Sequence, residues 1–137
     1  MDMMTEQTTL WEVNVAELSR FVNPMRDDEW GCGVIDEMDV EFCEDPRMGR
    51  LPAGMTAEDS TSHEYNVARI AYLVQNGWDE DETYEPMLLS CNSAFRREPH
   101  FRDGNHRFAA AIVSGKKTVK VTVEGNLKDL PFSLKKA

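Results

Sequence analysis

The run Asp103-Gly104-Asn105-His106-Arg107 constrains this chain more than any other, because it sits where an extended stretch gives way to a helix. Gly104 lets the backbone turn tightly, and either Asp103 or Asn105 can cap the helix after it. The first helical N–H groups then point outward with the positive end of the helix dipole behind them. A helix is expected over residues 105–114, where three alanines allow close packing and Gly115 occupies the usual left-handed stop position. Residues 117–123 alternate with period two. That predicts a strand with Val119, Val121 and Val123 facing a core and Lys120 and Thr122 facing out. Strand, glycine turn, short helix and strand in this order form the arrangement that presents a ligand at the carboxyl end of a sheet.

Upstream, Thr61 and Glu64 have the spacing of a capping box, so a helix is expected from about residue 62 to a stop at Gly77. Val67, Ile70, Ala71 and Val74 fall on one apolar stripe, which Tyr72 and Leu73 broaden. Pro86-Met87-Leu88-Leu89 reads as a strand. Nearer the amino end, residues 10–15 alternate weakly as a short strand, followed by one or two helical turns over residues 16–21 before Pro24. Residues 26–61 mix four glycines and two prolines with many carboxylates and read as an irregular acidic insertion, holding a short strand around residues 38–42. The acidic run 79–82 reads as a solvated turn in preference to a metal or partner site.

At 137 residues and 41% hydrophobic, the chain has the size of one domain. No apolar run approaches the ~20 residues of a membrane span, and the acidic start differs from a basic signal peptide, so a cytoplasmic protein without a membrane partner is expected. Cys32, Cys43 and Cys91 are odd in number and lack paired spacing, which points to buried free thiols. The net charge of −10 argues against a general nucleic-acid coat. Its distribution is uneven. Residues 1–95 hold 21 acidic and 5 basic side chains, a net of −16, whereas residues 96–137 hold 4 and 10, a net of +6. Arg96, Arg97, Arg102, Arg107, Lys116 and Lys117 thus surround the glycine turn with positive charge, as an anion site or as a solvated basic face.

The stretch Phe101-Arg102-Asp103-Gly104-Asn105-His106-Arg107-Phe108-Ala109-Ala110-Ala111, with Gly115 and a valine-rich strand after it, resembles the nucleotide-binding motif of the ParB/sulfiredoxin superfamily. The helix ending in Asn76-Gly77 and the strand after Pro86 are similar in order and spacing, so the likeness covers about residues 62–125. The resemblance implies a small single α+β domain over residues 1–137, a mixed sheet packed by a few helices with residues 26–61 inserted. It also implies a bound nucleoside triphosphate, ATP or CTP, with Mg2+. Two departures limit it. Sulfiredoxins carry a reactive cysteine just before the His-Arg pair, and Asn105 stands there, so repair of oxidised cysteine is not expected. ParB segregation proteins continue into a helix-turn-helix, whereas this sequence ends 30 residues after Arg107, so no DNA-reading domain is expected.

Within the motif, Gly104, Asn105, His106 and Arg107 are the candidate phosphate-binding residues. Arg107 can grip an anion with two parallel hydrogen bonds or form a structural ion pair. His106 is a phosphate ligand, a proton donor to a leaving oxygen, or a helix-start residue bonded to a carbonyl. Asp103 is a cation ligand, a base for phosphoryl transfer, or a turn and cap residue. Asp103 and His106 are the catalytic candidates, and Asp103 is the candidate metal ligand. No Gly-x-Ser-x-Gly elbow or Gly-Lys-Ser/Thr loop occurs, which sets aside hydrolases and P-loop enzymes of those types. Two functional readings are open. The first is a nucleotide-phosphate-binding protein in which phosphoryl transfer or hydrolysis is the chemistry within reach. The second is a non-enzymatic acidic interaction or inhibitor protein, of a phage or mobile element, whose amino-terminal region engages a basic protein partner.

Overall fold

The computed structural model describes residues 9–49, 62–78, 86–91 and 98–137. The chain separates into two compact units. One comprises Met1–Val22, Asp79–Asn105 and Lys116–Ala137 and holds the sheet; the other comprises Asn23–Trp78 and His106–Gly115 and holds the larger helices. The secondary structure is α+β with a mixed five-stranded sheet.

In the sheet unit, β1 (Trp11–Asn14), β2 (Met87–Cys91), β3 (His100–Asp103), β4 (Thr118–Gly125) and β5 (Lys135–Lys136) lie in the order β3-β2-β4-β1-β5. β2 and β4 run parallel, and every other pair is antiparallel. Pairing Met87 with Val121, Leu89 with Val123 and Val13 with Val119 puts these apolar side chains on one face, and all six are buried. Thr122 is buried too, against the expectation that it faces solvent. Its strand is central, so both faces lose water, and its hydroxyl lies 3.5 Å from the Met87 carbonyl as donor. The four-residue helix α1 (Val15–Leu18) comes directly after β1, its first turn capped by the Asn14 side chain, which accepts from the Glu17 amide at 2.8 Å.

The glycine turn does not lie at the carboxyl end of a parallel pair. β3 runs antiparallel to β2, and Asp103 pairs with Leu88, so the turn falls beside the amino end of β2. The expectation of a ligand at the strand carboxyl ends is corrected accordingly: a helix joining β3 to β4 here spans antiparallel strands separated by β2. Gly104 takes φ of 108°, and a β-carbon there would run into the Met87 side chain, so glycine is required for conformation and for space.

In the helical unit, α2 (Glu37–Glu41), α3 (His63–Asn76) and the part of α4 (Asn105–Ser114) from His106 onward share a core. Val40 of α2, Ile70 and Leu73 of α3, and Ala109 and Ala110 of α4 meet Met25 and Ile35 there. α2 replaces the strand expected around residues 38–42. Asp36 caps it, accepting from the Met38 amide at 2.9 Å, while Asp39 accepts from the Asp36 amide at 3.1 Å; this capping box outweighs the two-residue alternation. Other carboxylates of the acidic stretch also bind backbone: Asp27 accepts from the Asn23 amide and Asp28 from the Gly33 amide. Pro46–Gly49 forms a 3-10 turn, and residues 50–61 lie outside the described residues.

α3 begins one residue later than the capping box implies. Ser62 is the cap, accepting from the Tyr65 amide at 3.2 Å, and Thr61 lies outside the described residues. The helix is also buried beyond its apolar stripe, with every residue from Tyr65 to Ala71 out of solvent. α4 spans the expected residues and ends before Gly115. Of the three thiols, Cys91 is buried as expected, whereas Cys32 and Cys43 are half-buried. The acidic run 79–82 and the pair Arg96 and Arg97 lie outside the described residues. Among the described residues no helix is long and apolar enough to cross a membrane.

Candidate anion-binding site

Burying seven consecutive helical residues forces polar side chains inside with the apolar ones, and α3 does this with Asn66 and Arg69. Each then requires partners, because a buried amide left without them costs about 1–3 kcal/mol and a guanidinium more. The Asn66 side-chain N–H group donates to the Ser62 carbonyl at 2.8 Å, which fixes the amide and turns Oδ1 away from the cap. Oδ1 lies 2.7 Å from Nε2 of His106, in the first turn of α4. An oxygen there can only accept, so Nε2 carries the proton and the lone pair of a neutral ring resides on Nδ1.

Around that imidazole, Trp30 stacks with centroids 4.4 Å apart and planes 17° apart, and Tyr65 approaches edge-on at 6.4 Å. Burial pushes the pKa of His106 down to about 3, and the charge of Arg69 adds to the effect. His106 is therefore uncharged at neutral pH. A buried cation beside a guanidinium is disfavoured twice over. Arg69 donates from Nη1 to the Gly49 carbonyl at 3.1 Å. Arg107, next to His106 in sequence, is also buried. Two buried arginines thus belong to the unit that holds the His106–Asn66 pair.

The motif residues before His106 belong to the sheet unit. Asp103 is exposed at the end of β3, Gly104 is buried against Met87, and Asn105 donates from Nδ2 to the Phe101 carbonyl at 3.1 Å, with its Oδ1 buried and unpartnered among the described residues. Arg102, expected to enrich the positive field, is held by Glu124 through contacts of 2.9 and 3.0 Å. Lys116 and Lys117 are exposed. Among the described residues no three His, Cys, Asp or Glu side chains gather as metal ligands.

No protein-family model matches the chain, and neither a curated protein nor a solved structure matches it.

Trp30, Asn66 and Arg69 are not legible as site residues in the sequence. Asn66 and Arg69 do leave a signal, as polar side chains amid the apolar run of α3, where each demands a partner. Trp30 leaves none, because an irregular loop supplies it.

Proposed function

We propose that the helical unit binds the phosphates of a nucleotide, with ATP or CTP as the ligand that the motif's resemblance implies. The supporting observation is the His106–Asn66 pair with Arg69 acting on it: a proton-accepting imidazole whose charging is opposed by burial and by a neighbouring guanidinium. A bound phosphate adds negative charge beside the ring. Next to it, protonation of His106 ceases to be penalised, and the imidazolium and buried guanidinium groups supply charge-assisted hydrogen bonds. The charge of His106 then arises on binding.

Mg2+ stays with this reading as the resemblance implies it, and Asp103, an exposed carboxylate of the sheet unit, is the residue put forward for it. Calorimetric titration of ATP, CTP, GTP and inorganic phosphate, with and without Mg2+, tests the proposal. Binding of at least one nucleotide is expected, weakened roughly tenfold or more in His106→Ala and Arg107→Ala whose circular dichroism matches the parent. Absence of heat for all four ligands, or unchanged affinity in both variants, overturns it. Catalysis is a separate readout: release of inorganic phosphate from a bound triphosphate, lost in Asp103→Asn or His106→Gln, assigns hydrolysis.

A further inference from the structure

A second surface of the helical unit uses none of those residues. α2 buries Val40 and turns Met38 and Phe42, four residues apart, to the other side, where they are 60% and 68% exposed; Met48 in the 3-10 turn is 41% exposed. These three side chains line a groove of about 540 Å3. Large apolar side chains so exposed and clustered around one concavity mark a contact surface, whereas scattered ones do not. Methionine in particular adapts its shape to an incoming apolar side chain.

The rim specifies what enters. Asp39, Glu44, Asp45 and Glu64 line the groove, and among the described residues no lysine or arginine does. Among the described residues, Arg47 lies 3.6 Å from Asp45 but is 89% exposed, so it offers little compensation, and the His63 imidazole lies 3.9 Å from Asp39. An apolar floor beneath four carboxylates complements a segment with apolar anchors on one side and lysine or arginine flanking them.

We propose that this groove docks a basic amphipathic helix of a protein partner, seating its apolar side chains on Met38, Phe42 and Met48 and pairing its cations with the acidic rim. The rim sets the charge of the partner and accelerates encounter, and the floor sets residence time.

The test uses the full chain and a labelled peptide of about 18 residues with leucine at helical spacing and lysine elsewhere, with binding read by fluorescence anisotropy. The expected result is saturable binding that weakens roughly tenfold between about 50 and 500 mM salt. Phe42→Ser should abolish it, and the pair Asp39→Lys with Glu44→Lys should weaken it at least tenfold at low salt. Phe42 is mostly exposed, so the fold should survive its replacement, which thermal melting checks. Three results with the peptide overturn the proposal: no binding at millimolar peptide, equal binding of a peptide with glutamate replacing every lysine, or unchanged binding in Phe42→Ser. Sedimentation showing that Phe42→Ser dissociates a dimer of this chain assigns the surface to a second copy and also overturns it. Nucleotide titration of Phe42→Ser separates the two sites, since its affinity should equal the parent's.

Discussion

Nε2 of His106 lies 2.7 Å from Oδ1 of Asn66, a contact that links α4 to α3 and fixes which nitrogen of the ring carries the proton. Its first consequence is a defined sensitivity to acid. The folded chain holds His106 neutral down to a pH of about 3, whereas the unfolded chain protonates it near the ordinary value of 6.5. Between these values the unfolded state binds more protons, so this contribution to stability is complete above pH 6.5 and declines as pH falls toward 3. Urea midpoints measured across that range should drop on acidification, and His106→Gln should flatten the decline. An equal slope in the variant would assign the acid sensitivity elsewhere.

Phosphate binding should reverse the depression. A bound anion favours the imidazolium, so binding should take up close to one proton at pH values near 6 and tighten as pH falls. Calorimetry in two buffers of different ionisation heat measures that uptake. Zero uptake would exclude His106 as a responsive ligand even where binding persists.

Replacing Asn66 separates hydrogen bonding from charge. Asn66→Ala leaves the His106 N–H buried without its acceptor and should cost about 1–3 kcal/mol of stability. Asn66→Asp puts a carboxylate opposite the ring, raising the His106 pKa on an NMR titration while opposing an anionic ligand. Tighter nucleotide binding in Asn66→Asp would contradict the proposed site.

Gly104→Ala combines a left-handed backbone with a clash against Met87 and should lose about 1–3 kcal/mol. Met87→Ala in the same chain should restore the steric part while leaving the backbone part in place, read from the non-additivity of the two substitutions.

Asp36→Ala tests whether the acidic stretch is structural where it binds backbone. Loss of the α2 cap should cost about 1 kcal/mol, whereas Glu37→Ala, away from the cap bonds, should have little effect.

How much of this is legible in the sequence depends on whether local signals agree. α4 and β4 are readable because glycine stops, alanines and alternating valines point the same way. Residues 38–42 mislead because strand-like alternation competes with a cap whose partner is another acidic side chain, Asp39, in place of the usual Glu or Gln. The position of the glycine turn relative to the parallel pair is illegible, since it depends on β3 joining β2 antiparallel, a pairing that no local pattern encodes. The same holds for the His106–Asn66 contact, which joins residues 40 apart.

Among the described residues the sheet ends at β5, only two residues long, both lysine and both exposed. A border so short and so cationic offers little hydrogen-bonding template to another chain, and two copies brought edge to edge would meet lysine against lysine. At high protein concentration, fibrous growth along that border is disfavoured by repulsion, and added salt weakens the protection.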